Sequence, residues 1–157
     1  MTFICPLRKG IDRKTFDCGN LLLNEYFHKY VSQDVRRRLC ACYVALDEST
    51  GKVLGFYTLC AFSLKLSLVG GMNLGRHERL PVYLLGKLAV DLDAQHQGLG
   101  KELMADAFSR CVENEIPGCG LVVHPKTEDL IAFYQKFGFV RLEGDILFLS
   151  FGQTKFP

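Results

Sequence analysis

The stretch Leu84–Val112, LLGKLAVDLDAQHQGLGKELMADAFSRCV, joins an apolar strand to an apolar-faced helix through a turn that contains Gly98 and Gly100. Leu84 to Val90 is a short, nearly continuous apolar run, as expected of a strand buried on both faces. After the turn, Leu103, Ala107 and Cys111 fall in one row at four-residue spacing, and Met104, Phe108 and Val112 fall in the next. These rows make one wide apolar helix face. The unit therefore places a helix N-terminus at the carboxyl end of a central strand.

The first turn of a helix carries N–H groups without intrahelical partners and the positive end of the helix dipole, so it suits a phosphate or diphosphate. Gly98 and Gly100 have no side chain to hold an anion away from those amides, and Lys101 adds a mobile positive charge. Two familiar phosphate loops do not fit. A P-loop needs a glycine five positions before its Gly-Lys and a hydroxyl after it, where this chain has Gln95 and Glu102. A dinucleotide fingerprint needs three glycines at GxGxxG spacing, and only two are present. What remains is the Q-x-x-G-x-G turn Gln95-His96-Gln97-Gly98-Leu99-Gly100.

Nothing in the composition points away from a folded globular chain. Its 157 residues are 48% hydrophobic and 23% charged, enough for one domain with a substantial core. No apolar run approaches a membrane span, and no signal-like N-terminal segment is seen, so a cytoplasmic protein without membrane association is expected. The seven cysteines are odd in number and form no CxxC pair, which argues against structural zinc, or any metal, and for free thiols in a reducing compartment. The formal charge is only +2, yet residues 1–40 hold eight lysines and arginines against four acids.

In chain order, Thr2–Leu7 reads as a strand. Residues 20–39 read as an amphipathic helix with Leu21, Leu22, Leu23, Tyr26, Phe27, Tyr30 and Val31 on its apolar face, ending in Arg36-Arg37-Arg38. Cys40–Leu46 and Val53–Leu68 are predicted to form an antiparallel hairpin, followed by a loop from Val69 to Pro81 without period. Cys119–His124 reads as a buried strand parallel to Leu84–Val90. Thr127 is the expected N-cap of a last helix whose stripe is Leu130, Phe133, Tyr134 and Phe137. Gly138 is its left-handed cap, and the segments around Glu143-Gly144-Asp145 close as a hairpin.

The Q-x-x-G-x-G turn after Leu88-Ala89-Val90-Asp91 resembles the acetyl-CoA diphosphate loop of the GNAT N-acetyltransferase superfamily, and the element order β-α-β-β-β-α-β-α-β-β is similar to that fold over essentially the whole chain. The resemblance implies an α/β (α+β) domain spanning residues 1–157. Its sheet would be mixed and mostly antiparallel, with one central parallel strand pair and helices on both faces. It also implies acetyl-CoA as cofactor. The diphosphate would lie on Gln95, His96, Gln97, Gly98, Leu99, Gly100 and Lys101, and the pantetheine on the main chain of Leu88, Ala89 and Val90. Thr127 would contact it where the family often has asparagine. A second motif, Phe133-Tyr134-Gln135-Lys136-Phe137-Gly138-Phe139, resembles the family's F-Y-x-x-x-G-F signature, which makes Tyr134 the expected general acid. A phenol with a reference pKa near 10 stays protonated at neutral pH and can protonate a departing thiolate.

A narrower resemblance lies in Phe16-x-Cys18-Gly19, Leu23-Asn24-x-Tyr26-Phe27, Gly55-Phe56-Tyr57-Thr58-Leu59, Leu80-Pro81 and Leu85 to Asp91. These are similar to the GNAT toxins of bacterial toxin–antitoxin pairs, with Lys87 where the family has arginine. That implies aminoacyl-tRNA as acceptor, an antitoxin and a homodimer as partners, and a basic approach surface for which Arg36, Arg37, Arg38, Arg76 and Arg79 are the candidates. Two alternatives stay open, an acetyltransferase of a small amine or protein amine and a non-catalytic acyl-CoA-binding module.

Overall fold

The computed structural model describes residues 1–70 and 76–152. Its strands are β1 (Thr2–Pro6), β2 (Ala41–Asp47), β3 (Val53–Lys65), β4 (Arg79–Val90), β5 (Gly120–Val123), β6 (Val140–Arg141) and β7 (Leu147–Ser150). They hydrogen-bond in the order β1-β2-β3-β4-β5-β7-β6. The β4–β5 pair is parallel, while the β1–β2, β2–β3, β5–β7 and β6–β7 pairs are antiparallel. This is the mixed sheet expected from the sequence. The described residues gather into two compact units, Met1–Cys60 with Gly86–Ser109, and Ala61–Leu85 with Arg110 onward.

The first unit is organised by three phenylalanines. Phe16, Phe27 and Phe56 are at most 1% exposed, with ring centroids 4.3 to 5.4 Å apart. Val31, Cys42, Val44, Val53 and Ala89 complete that core. Truncating one such buried ring costs about 3–5 kcal/mol, so these positions fix the sheet against the N-terminal helices. Gly55 is needed for close approach: a Cβ there would lie 2.8 Å from Leu103 Cδ1 and 3.1 Å from the Ala89 carbonyl oxygen.

The N-terminal helix differs from the single amphipathic helix that the spacing predicts. It is split into α1 (Leu21–Glu25), a π-helical turn (Tyr26–Tyr30) and α2 (Val31–Arg36). Its buried positions are Asn24, Phe27 and Val31, while Leu21 and Leu22 are 84% and 80% exposed and Tyr30 is also exposed. A polar side chain took the inward position because the preceding loop needs its hydrogen bonds, as shown below. Arg38 has φ +60, and the bonds Arg38 N–H to Val35 O and Leu39 N–H to Asp34 O close the helix as a Schellman motif.

Leu64, Val69, Leu80, Val82, Val122 and Phe148 form the core of the second unit. Here β4 starts at Arg79, five residues before the expected strand, and shortens the predicted loop; residues 71–75 of that loop lie outside the described residues. Pro81 hid this start, since its missing N–H argues against an internal strand. It precedes the ladder with β5, which begins at Tyr83, and uses its carbonyl to accept from Cys119 N–H. The strand is not buried on both faces throughout: Leu84, Leu88 and Val90 are half-buried and Gly86 is exposed. The reason is that the parallel ladder ends at Leu85↔Val123, while β4 runs on to Val90.

Helix α3 (Leu99–Glu113) buries Leu103, Met104, Ala107 and Cys111 as expected, but Val112 is 38% exposed. In α4 (Glu128–Gln135) the inward stripe is Ile131 and Tyr134, whereas Leu130 is exposed and Phe133 is half-buried. Thr127 Oγ1 accepts from Leu130 N–H at 3.2 Å, and Gly138 has φ +98, so both expected caps are in place.

Candidate active site

A strained turn leads into α3. His96 and Gly98 have φ +63 and +85, and Leu99 is the first helical residue. The Glu102 N–H reaches the Gly98 carbonyl, which leaves the N–H groups of Leu99, Gly100 and Lys101 without a carbonyl one turn earlier. A Cβ on Gly98 would meet nothing within 4 Å, so the turn is uncrowded at that position. N–H donors without intrahelical partners and the exposed Lys101 fit a diphosphate. Gln97 and His96 are exposed on the same turn, and Gln97 Nε2 donates to the Asp93 carbonyl at 3.4 Å.

Gln95 faces inward. Its Nε2 donates to the Val90 carbonyl at 2.9 Å and to the Cys18 carbonyl at 3.1 Å, so it braces the turn and occupies one acceptor of Val90. The other end of the turn is held by Asp91, which is 2% exposed. Its carboxylate accepts from Asp93 N–H at 2.9 Å, capping the 3₁₀ turn Leu92–Ala94, and from Asp17 N–H at 3.0 Å. Lys52 Nζ lies 3.6 Å from Asp91 and 2.9 Å from Asp93. Leu92 N–H returns a bond to the Asp17 carbonyl.

Segment 17–18 is itself fixed by Asn24, whose Oδ1 accepts from Cys18 N–H at 2.9 Å and whose Nδ2 donates to Asp17 Oδ1 at 2.8 Å. Hydrogen bonds from Gly19 N–H and Asn24 hold the Asp17 carboxyl below its usual pKa. Gly19 has φ +86 and sits against Leu92. The residues Phe16, Cys18, Gly19 and Asn24 thus form the core and brace behind the anion turn. Sequence reasoning quoted Asn24 and Asp91 without a role and passed over Asp17 and Lys52; a lone asparagine inside an apolar helical stripe was the signal available.

The second unit holds Tyr134. Its ring packs edge-on against Phe133 and Phe139 at 5.1 and 5.5 Å and is 7% exposed. Among the described residues every fully buried side-chain nitrogen or oxygen has a hydrogen-bond partner. Among the described residues the Tyr134 hydroxyl has none, so the oxygen is not fully enclosed by them. Burial pushes its pKa up to about 12, which keeps the proton in place at neutral pH. Thr127 lines an open groove of 590 Å³ with His124, Lys126, Glu128, Ile131 and Ile146.

The expected basic residues do not form one described set. Arg36, Arg37 and Arg38 are exposed at the end of α2 in the first unit. Arg76 is exposed in the second, and there Arg79 is tied down by donating to Ser63 Oγ at 2.6 Å and to the Ser63 carbonyl at 3.0 Å.

Strand order, the glycine turn before α3 and the ladder that ends at Leu85 together define an acyl-CoA N-acyltransferase fold. Residues 38–141 match the Acetyltransferase (GNAT) domain family, and the chain belongs to that family. It is 32% identical over 131 residues to the tRNA-acetylating toxin of Mycobacterium tuberculosis (strain ATCC 25618 / H37Rv), covering 82% of this chain and 78% of that one. Its fold is similar to that of AtaT complexed with acetyl-methionyl-tRNAfMet, with TM-score 0.86 and 26% identity over 96% of this chain and 95% of that one. It is also similar to a mutant AtaT toxin bound to the C-terminus of the antitoxin AtaR and acetyl-CoA, with TM-score 0.78 and 28% identity over 95% and 92% of the two chains.

Proposed function

We propose that this protein is an acetyl-CoA-dependent N-acetyltransferase that acetylates the amino group of aminoacyl-tRNA, and that it acts in the cytoplasm as a translation-blocking toxin restrained by an antitoxin. The observation that carries the reading is the braced, open helix N-terminus at Gly98–Lys101. The similarity to a tRNA-acetylating toxin and to AtaT with its acetylated tRNA supports the choice of acceptor. Residues 1–157 then constitute one acetyltransferase domain, acting as a homodimer. No described helix is long and apolar enough to cross a membrane.

Acetyl-CoA, when bound, supplies the acetyl group as a thioester. The amides of Gly98, Leu99, Gly100 and Lys101 hold its diphosphate, with His96 and Gln97 on the same turn. Leu88, Ala89 and Val90 offer main-chain groups to the pantetheine, and Thr127 keeps a hydroxyl proton for it beyond its capping bond. Gln95 acts from behind by fixing the turn. Tyr134 holds a proton on its hydroxyl oxygen for the departing sulfur. An α-amino group with a reference pKa of 7.7–8.0 is about a tenth neutral at pH 7, so the attacking amine can lose its proton to water. Arg36, Arg37, Arg38, Arg76 and Arg79 contribute positive charge toward the nucleic acid.

The test is incubation of the purified protein with acetyl-CoA and charged tRNA, read by mass spectrometry of the released aminoacyl group, beside growth on controlled expression. Acetylated α-amine and growth arrest are expected. Turnover of small amines or protein amines with none on charged tRNA overturns the acceptor. Cofactor binding without transfer to any acceptor overturns the enzyme.

A further inference from the structure

Two lysines of the first unit differ in how their ammonium groups are used. Lys52 is spent on Asp91 and Asp93. Lys87, half-buried on β4, lies with Nζ 4.1 Å from the centre of the Tyr26 ring, and among the described residues its ammonium donates no hydrogen bond and meets no carboxylate. An ammonium has three N–H donors, and a face-on ring satisfies the charge but none of those donors.

The surroundings of Lys87 are polar and half-buried. Tyr26 donates its hydroxyl to Asp34 Oδ2 at 2.8 Å, which fixes the ring beneath the ammonium, and the Tyr26 hydroxyl oxygen lies 3.7 Å from Cys40 Sγ. Cys60 on β3 is within electrostatic range of both Cys40 and Lys87. On β4, Lys87 shares its face with Ala89, which packs in the phenylalanine core, so it projects toward the N-terminal helices. It lies two residues past Leu85, where the pairing with β5 stops, and directly before Leu88–Val90. In the proposed reading the cofactor arm lies on the main chain of Leu88–Val90, directly after Lys87, whose own N–H is taken by Thr58 Oγ1 at 3.1 Å.

We propose that Lys87, presented by the Tyr26 ring, binds a phosphate oxygen at the 3′ end of the acceptor tRNA. It is a substrate-binding residue for the nucleic acid and not for the cofactor; Tyr26 and Asp34 act through it as positioning residues. This rests on the aminoacyl-tRNA reading above. An acceptor without phosphate gains nothing from Lys87, which separates the two kinds of substrate.

The experiment compares wild type, Lys87→Gln and Lys87→Arg as full chains on aminoacyl-tRNA and on an aminoacyl methyl ester, with acetyl-CoA varied separately. Lys87→Gln is expected to raise the KM for aminoacyl-tRNA about tenfold to a hundredfold, as for loss of a hydrogen bond to a charged group. It should leave kcat, the KM for acetyl-CoA and turnover of the methyl ester within about twofold. The log–log salt dependence on tRNA should become shallower by about 0.7, the value for one single-strand phosphate contact, and Lys87→Arg should restore most of both. An unchanged KM for tRNA, an unchanged salt slope, or an equal loss on the methyl ester overturns the proposal. If wild type is inactive on charged tRNA the functional reading itself falls; if wild type is active and Lys87→Gln equals it, only the role of Lys87 falls.

Discussion

The two units hold their proposed functional groups by opposite means. The anion turn of the first unit is braced by hydrogen bonds, from Gln95 to two carbonyls, from Asp17 and Asp93 to the Asp91 carboxylate, and from Asn24 to the segment behind them. Tyr134 of the second unit is held by aromatic packing, with a hydroxyl that has no hydrogen-bond partner among the described residues. The difference follows from what each must present. Backbone amides can be aimed at an anion only if the main chain is fixed, and His96 at positive φ costs energy that directional bonds must offset. A proton donor needs its oxygen unclaimed, so shape has to do the holding.

Breaking each arrangement should give a distinct signature. The largest effect is expected for Tyr134→Phe, which removes the proposed proton donor and no packing: kcat should fall about a hundredfold or more, with coenzyme A affinity and Tm nearly unchanged. Steady-state kinetics beside calorimetric titration reads both. Gly120→Ala attacks the packed unit, because its Cβ would lie 2.6 Å from the Leu149 carbonyl oxygen and 2.4 Å from the Phe148 ring. A loss of about 2–3 kcal/mol in urea unfolding is expected.

In the hydrogen-bonded unit, Gln95→Glu removes both donors while keeping the shape. It should raise the KM for acetyl-CoA about tenfold with little change in kcat, since a displaced turn weakens binding and not the proton transfer. A matching fall in kcat instead would show that the turn and the phenol are not separable. Gly98→Ala meets no steric contact, yet its φ of +85 disfavours a Cβ by about 1 kcal/mol, so a small drop in Tm and a severalfold rise in the acetyl-CoA KM are expected. Least of all should change with alkaline pH. Burial raises the Tyr134 pKa to about 12, and in the proposed role the protonated form acts, so the window of activity should extend upward. A pH–rate profile should show no falling limb from this group below about pH 11.

Much of this arrangement was legible in the chain. The strand–turn–helix at Leu84–Val112, the parallel partner at Gly120–Val123, the Thr127 and Gly138 caps and the two motifs are local patterns, and each formed nearly where its spacing placed it. The misses have a common cause. Leu21 and Leu22 look like core but are exposed, while Asn24 looks like surface but is buried, because the loop at Asp17–Cys18 supplies its partners. Pro81 concealed five residues of strand for the same kind of reason: its missing donor is harmless because the ladder with β5 starts two residues later.

Periodicity, glycine placement and capping residues act within a few positions, so the sequence by itself determined the order of strands and helices, the open helix N-terminus and the phenol on the last helix. Which polar side chain turns inward, and which charge goes unpaired, depends on groups far away in the chain. Asp91 meets Asp17 across 74 positions, and Lys87 rests on Tyr26 with no carboxylate partner among the described residues. Such pairings exist only after the apolar surfaces have packed, because desolvation is what makes each polar partner matter.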